Sequence, residues 1–292
     1  MPPTLLDVPA ETTPAPILKW VGGKKRLLSH ILPHYTGQAS VVEPFFGGGA
    51  VSFAIAAQNP HVTVCANDKI TELVEIYDAV RTDVEAFICD VNTYAAPYLV
   101  LDGKDARRKF YYTIREQYMN RTLDGPAPLF FMLWCAYSGL YRTGKKVPGR
   151  FNTSHGFGLE KTDFYHPQRL RASANAMNTW SFTSGDFTDT LDNVSGDSFV
   201  FIDPPYRQTY TNYTDGGFSS EDQERVVQYA RAAAERGAAV VYTNKDTGDS
   251  FYEDSFPGFT INRVPIKYQV NRNCKTTGRP ESFEAIVSTG GG

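Results

Sequence analysis

Ser40-Val41-Val42-Glu43-Pro44-Phe45-Phe46-Gly47-Gly48-Gly49-Ala50 is a β-branched run, then a glycine series, then the start of an apolar pattern over residues 50–57. The order is strand, glycine turn, helix. A second strand is expected over residues 61–66, ending at Asn67-Asp68. Beyond it Ile70, Leu73, Val74, Tyr77 and Val80 recur at helical spacing. This β-α-β-α series predicts an α/β fold with a parallel sheet.

The pattern resumes near the other end. Residues 180–183 read as a strand followed by Gly185-Asp186-Phe187, and residues 199–202 as a short apolar strand ending at Asp203. Ser220-x-x-Gln223 reads as a capping box opening a helix to Arg236, with Gly237 at its stop and a strand over 238–243. The apolar run 283–287 can close the sheet, and Pro265 restricts residues 259–265 to an edge or bent strand. Between residues 73 and 178 no strand alternation is visible. Residues 106–120, 129–137 and 168–178 read as helices, and 138–158 as a long loop. The expected organisation is a tail over 1–16, a core domain formed by 17–72 and 179–292, and a helical insert over 73–178.

The 292 residues, 41% hydrophobic and 21% charged, fit an ordinary globular chain. No apolar run approaches the roughly 20 residues that span a bilayer. Residues 1–16 lack the apolar core of a signal peptide. Cys65, Cys89, Cys135 and Cys274 are scattered, which predicts neither a zinc site nor a disulfide framework and makes a reducing cytoplasm the expected compartment. The net charge of −3 excludes a uniformly basic nucleic-acid binder, but its distribution says more. Residues 126–159 hold no acid while Arg142, Lys145, Lys146 and Arg150 are basic. Residues 255–280 also lack acids and carry Arg263, Lys267, Arg272, Lys275 and Arg279. Each stretch fits either an anion-binding face or a solvated loop.

Asp203-Pro204-Pro205-Tyr206 follows a strand end, where open α/β sheets bind ligands. An amine conjugated to a heteroaromatic ring is a poor nucleophile because its lone pair is delocalised. A carboxylate and a backbone carbonyl that accept its two hydrogens localise the pair and stabilise the positive charge that develops. Asp203 can supply the carboxylate and Pro204 the carbonyl, while Tyr206 offers a face for an extruded base. The segment 43–50, including Glu43, Pro44, Phe45, Gly47 and Gly49, lets backbone approach a ligand closely. It is not G-x-G-x-x-G, and no basic residue follows to hold a pyrophosphate, which weakens a dinucleotide reading. Asp68 fits either a ribose ligand or a helix cap. Lys19-Trp20-Val21-Gly22-Gly23-Lys24 is not a phosphate loop, because no strand precedes it and Lys25 stands in place of Ser/Thr. Lys24 is instead a candidate partner for a ligand carboxylate. Asp186 can accept from an adenine amine and Phe187 can stack on its ring.

Taken in order, K-W-x-G-G-K, E-P-F-x-G-x-G, a helical insert and D-P-P-Y resemble the Dam-type DNA adenine methyltransferases, the D12 class in the α-order group. The resemblance covers most of residues 17–287. It implies a Rossmann-like core binding S-adenosylmethionine (SAM) through Trp20, Gly22, Gly23, Lys24, the glycine turn, Asp68, Asp186, Phe187 and Asp203, with S-adenosylhomocysteine as product and no metal. It implies transfer to N6 of a flipped adenine in double-stranded DNA, by a monomer. It places Tyr141, Arg142, Lys145, Arg150, Phe151 and Asn152 in a DNA-reading segment, with Arg272 and Lys275 in a basic loop near the target base. Gly149-Arg150-Phe151-Asn152 is similar to the family's G-x-F-N element. Ser138 and Gly144 stand where Dam proteins often have Asn, and Ser154-His155 replaces a Pro-containing stretch. These departures lie where the target is read.

Overall fold

The structure is a computed structural model that describes residues 13–144, 149–156, 166–207, 218–266 and 282–290. Lys145, Lys146, Lys267, Arg272, Lys275 and Arg279, and with them the basic loop expected near the target base, lie outside the described residues.

Five strands run parallel: β1 (Ser40–Glu43), β2 (Thr63–Asp68), β3 (Trp180–Ser184), β4 (Ser198–Ile202) and β5 (Ala239–Lys245). Strand β6 (Phe259–Ile266) is the edge, and β7 (Ser282–Thr289) pairs antiparallel with both β5 and β6. The order is β3-β2-β1-β4-β5-β7-β6. It reverses direction between β1 and β4, which makes that gap the topological switch point of a doubly wound sheet. Pro265 sits in the edge strand, where a missing N–H is tolerated.

Every residue of β4 is buried because both sheet faces are covered. Phe199 and Phe201 enter one core layer with Val41 and Ile286, and Val200 and Ile202 enter the other with Val42 and Val240. The first layer is covered by the short α1 (Leu28–Ile31), α2 (Ala50–Ala56), α3 (Thr71–Thr82) and α7 (Pro167–Ala176). The second is covered by α8 (Ser220–Glu235) and α9 (Phe251–Ser255). The capping box of α8 lies one residue earlier than the sequence suggested. Ser219 is the N-cap and Asp222 closes the box, which frees Gln223 for the buried face.

The segment expected to be helical holds α4 (Val84–Leu99), α5 (Lys104–Met119) and α6 (Pro126–Cys135). Helix α6 is buried from Ala127 to Cys135 and packs on α3, α4 and α5, so it is the core of this part and carries no polar stripe. Helix α4 was not expected. Its pattern is interrupted by Pro97, which lies in the last turn and leaves the preceding helix intact, and Asp83 caps its start by accepting from Ala86 N at 2.9 Å. The expected loop over 138–158 is braced by antiparallel bridges at Ala136–His155 and Thr143–Phe151. At the other end of the chain, Ala15 exchanges two hydrogen bonds with Ser173 Oγ, at 3.2 and 2.8 Å. The fold therefore takes in residues 13–16 of the expected tail.

Candidate active site

A cavity of about 690 Å³ opens at the carboxyl ends of β1 and β4, the switch point. The glycine turn forms its floor. Gly47 and Gly49 have positive φ, 50° and 63°. A Cβ on Gly47 would lie 2.7 Å from Trp20 Nε1, and one on Gly49 only 2.3 Å from the Phe46 ring. Both positions therefore require glycine for conformation and for space. Asp68 joins this floor to β2: its Oδ2 accepts from Gly47 N at 2.8 Å and its Oδ1 from Ile70 N at 2.9 Å. The bond to Ile70, itself the N-cap residue of α3, ends in an Asx-type turn before the helix, so Asp68 does not cap α3 as one expectation had it. It stands at the cavity wall. Burial pushes its carboxyl above the usual range, against the pull of these backbone bonds.

Glu43 is 2% exposed and accepts a hydrogen bond from Ser52 Oγ on α2. Burial raises its carboxyl to about 8, helped by the nearby Asp203 and Asp68. Phe45 packs on Phe187 with ring centroids 5.0 Å apart. Asp186 does not extend into the cavity unengaged. Arg225 pairs with it at 2.7 Å, and Thr188 bonds it through both N and Oγ1, so its carboxyl falls to about 2 although burial opposes this.

At the opposite wall, Lys24 Nζ pairs with Asp203 Oδ1 at 2.7 Å, with side-chain exposures of 5% and 18%. Lys24, expected to partner a ligand carboxylate, meets that of Asp203 with one of its three N–H donors. Thr243 Oγ1 donates to the same Asp203 oxygen at 3.1 Å. Burial pushes the Asp203 carboxyl up, while Lys24 pulls it down. The turn beyond is held from outside the motif: Gln223 Nε2 donates to the Pro205 carbonyl at 2.8 Å, and Asn244 Nδ2 approaches it at 3.4 Å. Among the described residues nothing donates to the Pro204 carbonyl. The Lys24 ammonium lies over the Tyr206 ring, 4.9 Å from its centroid.

Three residues of the expected DNA-reading segment turn inward. Tyr141 is 4% exposed, between Trp20 and Phe151. Arg150 is 8% exposed; its guanidinium bonds the Tyr118 carbonyl through Nε at 3.1 Å and Nη2 at 2.6 Å, and lies 3.9 Å from the Tyr118 ring centroid. It acts as a brace between this segment and α5, because a guanidinium fork matches backbone carbonyls as well as bases. Phe151 is core. Arg142 stays exposed, its Nε donating to Asn152 Oδ1 at 2.9 Å, and both it and Tyr141 line the cavity mouth. The sequence did not single out Ser52 or Gln223 for the site, since neither lies in a motif that carries chemistry.

The donor set fits a nucleoside sulfonium. Carboxyl groups at Glu43, Asp68 and Asp203 suit hydroxyls, the Phe45–Phe187 pair suits a purine face, and the glycine floor accepts a ligand against bare backbone. A doubly wound sheet with this cavity and an Asp-Pro-Pro-Tyr turn is a Rossmann-like methyltransferase. The chain belongs to the D12 class N6 adenine-specific DNA methyltransferases, whose sequence model matches residues 20–269. It is 31% identical to the type II methyltransferase M.MjaIII of Methanocaldococcus jannaschii, over 93% of this chain and 97% of that one. It is 28% identical to the DNA adenine methylase of Vibrio cholerae serotype O1, over 93% of this chain and 95% of that one. The DNA N-6-adenine-methyltransferase of Escherichia phage P1 is also 28% identical, over 95% of this chain but 36% of its own length. The protein is therefore an adenine-specific DNA methyltransferase. Family membership makes DNA its substrate and SAM its methyl donor. No helix among the described residues is long and apolar enough to cross a membrane.

Proposed function

We propose that the transfer centre is Asp203-Pro204-Pro205-Tyr206, and that the cavity between it and the glycine turn holds SAM. The observation that carries this is the Asp203 carboxylate, fixed by Lys24 at 2.7 Å and Thr243 at 3.1 Å at the mouth of the switch point, beside a Pro204 carbonyl with no donor among the described residues. Asp203 and the Pro204 carbonyl accept the two N6 hydrogens of a flipped adenine, which localises the lone pair on nitrogen. Pro205 keeps its own carbonyl bonded to Gln223 and so holds the turn rigid. The adenine stacks on the Tyr206 face away from the Lys24 ammonium. Bound SAM supplies a methyl group already made electrophilic by the sulfonium charge, so a metal has no task here.

Asp68 and Glu43 serve the ribose and amino-acid ends of the donor. Trp20, Gly22, Gly23, Phe45, Gly47 and Phe187 shape its walls. Arg142 and Asn152, at the mouth, meet double-stranded DNA, joined by Lys145, Arg272 and Lys275. Residues 73–178 form the target-reading unit of a protein that acts as a monomer in the cytoplasm. The released product is S-adenosylhomocysteine.

The test is transfer from methyl-labelled SAM to DNA, with the product digested to nucleosides. Label in N6-methyladenine is expected, and label in N4-methylcytosine would overturn the reading. Asp203→Ala is expected to remove activity by about a thousandfold or more while the protein stays folded. Single-molecule sequencing of DNA from expressing cells identifies the target site.

A further inference from the structure

Glu284 belongs to none of the motifs, yet it is 1% exposed. It lies in β7 opposite Lys245 of β5 and Val264 of β6, within the run Phe283, Ala285, Ile286 and Val287 that is otherwise apolar. Taking a carboxylate out of water costs several kcal/mol, and an apolar residue of similar volume often gives a more stable fold. Stability alone therefore does not account for an acid at this place. Its surroundings do. The Tyr206 hydroxyl donates to Glu284 Oε1. Lys24 Nζ stands 3.5 Å from that hydroxyl and 2.7 Å from Asp203 Oδ1. Four polar groups from three separated parts of the chain thus form one continuous line from β7 to the transfer centre.

We propose that Glu284 is a positioning residue for methyl transfer. It anchors the hydroxyl end of Tyr206 and, through the Lys24 ammonium, sets the ring and the Asp203 carboxylate in a fixed relation. This rests on the reading of residues 203–206 as the transfer centre. A tyrosine ring swings about its first side-chain bond and spins about its second. The hydroxyl oxygen lies on the axis of the second, so tethering it stops the swing and fixes where the ring stands, while leaving a face for the base. The carboxylate also has an electrostatic consequence. Glu284 opposes ionisation of Asp203, whereas Lys24 favours it. The pair of acids around one ammonium therefore sets the pH at which Asp203 becomes an acceptor.

The experiment uses the full chain and a duplex carrying the site found by sequencing. Single-turnover rates, the SAM dissociation constant, thermal melting and the fluorescence of 2-aminopurine at the target position are measured. The proteins are wild type, Glu284→Ala, Glu284→Gln, Tyr206→Phe and the double variant Glu284→Ala/Tyr206→Phe. Glu284→Ala is expected to slow transfer by about a hundredfold, the cost of a small misplacement of a reacting group. Its SAM affinity should stay within about twofold. Its 2-aminopurine signal should also differ from wild type, because the flipped base no longer stacks on a fixed ring. Tyr206→Phe should lose a comparable factor, and the double variant should be no worse than the weaker single variant, since both remove one contact.

Glu284→Gln keeps an oxygen that accepts from Tyr206. It should recover the rate to within about tenfold of wild type. With the charge gone, the acid limb of its pH–rate profile should move to lower pH. Wild-type rates in Glu284→Ala or in Tyr206→Phe, or losses that multiply in the double variant, would overturn the proposal. If Glu284→Ala does not fold, Glu284→Gln and Tyr206→Phe carry the same decision. An active Asp203→Ala would instead overturn the reading of the centre itself, so the two failures are distinct.

Discussion

Lys24 and Arg150 are both buried cations, but they are buried in different company. Lys24 stands at the end of the sheet and faces the Asp203 carboxylate inside the cavity. Arg150 stands in the helical part, where its guanidinium forks onto the backbone carbonyl of Tyr118 and meets the exposed carboxylate of Asp124, at 3.1 Å. At the sheet end, strand termini aim side chains at a common point, so residues that look chemical in sequence meet around one cavity. In the helical part, a segment that must present a few residues outward needs others turned inward to hold it. A basic residue there can be scaffold as readily as reader, and Arg150 and Tyr141 are scaffold while Arg142 faces out.

The comparison can be broken most sharply at Lys24. Lys24→Ala leaves Asp203 buried beside an unneutralised site. It is expected to destabilise the protein by about 3–5 kcal/mol, as removal of one partner of a buried pair does. The measurement is the denaturant midpoint. Because the ammonium that lowers the Asp203 carboxyl is gone, the acid limb of any residual activity should shift to higher pH. An unchanged midpoint would mean that the Lys24–Asp203 pair is not needed for the fold.

Arg150→Ala comes next, with an expected loss of about 2–4 kcal/mol from the unpaired carbonyl and the lost contact with the Tyr118 ring. Thermal melting reads it directly. Arg150→Lys should not restore it, because an ammonium cannot reproduce the two-nitrogen contact. A DNA-affinity loss with no change in melting would return Arg150 to the role of reader.

Glu43 gives a smaller, pH-dependent effect. Its carboxyl ionises near 8 in the folded protein against 4.5 as its ordinary value, so the folded state holds the proton more tightly. That contribution to stability is complete below about 4.5 and is lost as pH rises toward and past 8. Glu43→Gln should match wild type within about 1 kcal/mol at or below about pH 4.5 and decline less steeply from there to about 8. Parallel stability–pH curves would show that Glu43 is ionised in the fold. The smallest effect is expected at Arg142. Arg142→Ala should leave melting within about 0.5 kcal/mol of wild type and reduce the salt slope of DNA binding by about one.

Much of the site was legible in the sequence because its parts are local. A glycine turn after a β-branched strand, an acid at the next strand end, and Asp-Pro-Pro-Tyr after an apolar run each carry their constraint within a few residues. Their order along the chain identified the family. The parallel strands were legible for the same reason, since β4 is a continuous apolar run. Helix α4 was missed because Pro97 reads as a break in one dimension, although in the last turn it costs the helix little. The capping box of α8 slipped by one residue because Ser219 and Ser220 are chemically equal caps, and only the packed face of Gln223 separates them.

By itself, then, the sequence determined the strand–turn–helix grammar, the carboxylate and glycine positions and the adenine-methylating family, all of which depend on neighbours along the chain. Tertiary structure alone decided which charges meet. It brought Lys24 to Asp203 across 179 positions and Glu284 to Tyr206 across 78, and it turned Arg150 toward Tyr118. Such partnerships depend on the register of β7 against β5 and on the packing of α5 against the braced segment. No spacing in the sequence encodes them, because burial decides whether a charge seeks water, a ligand or another part of the fold.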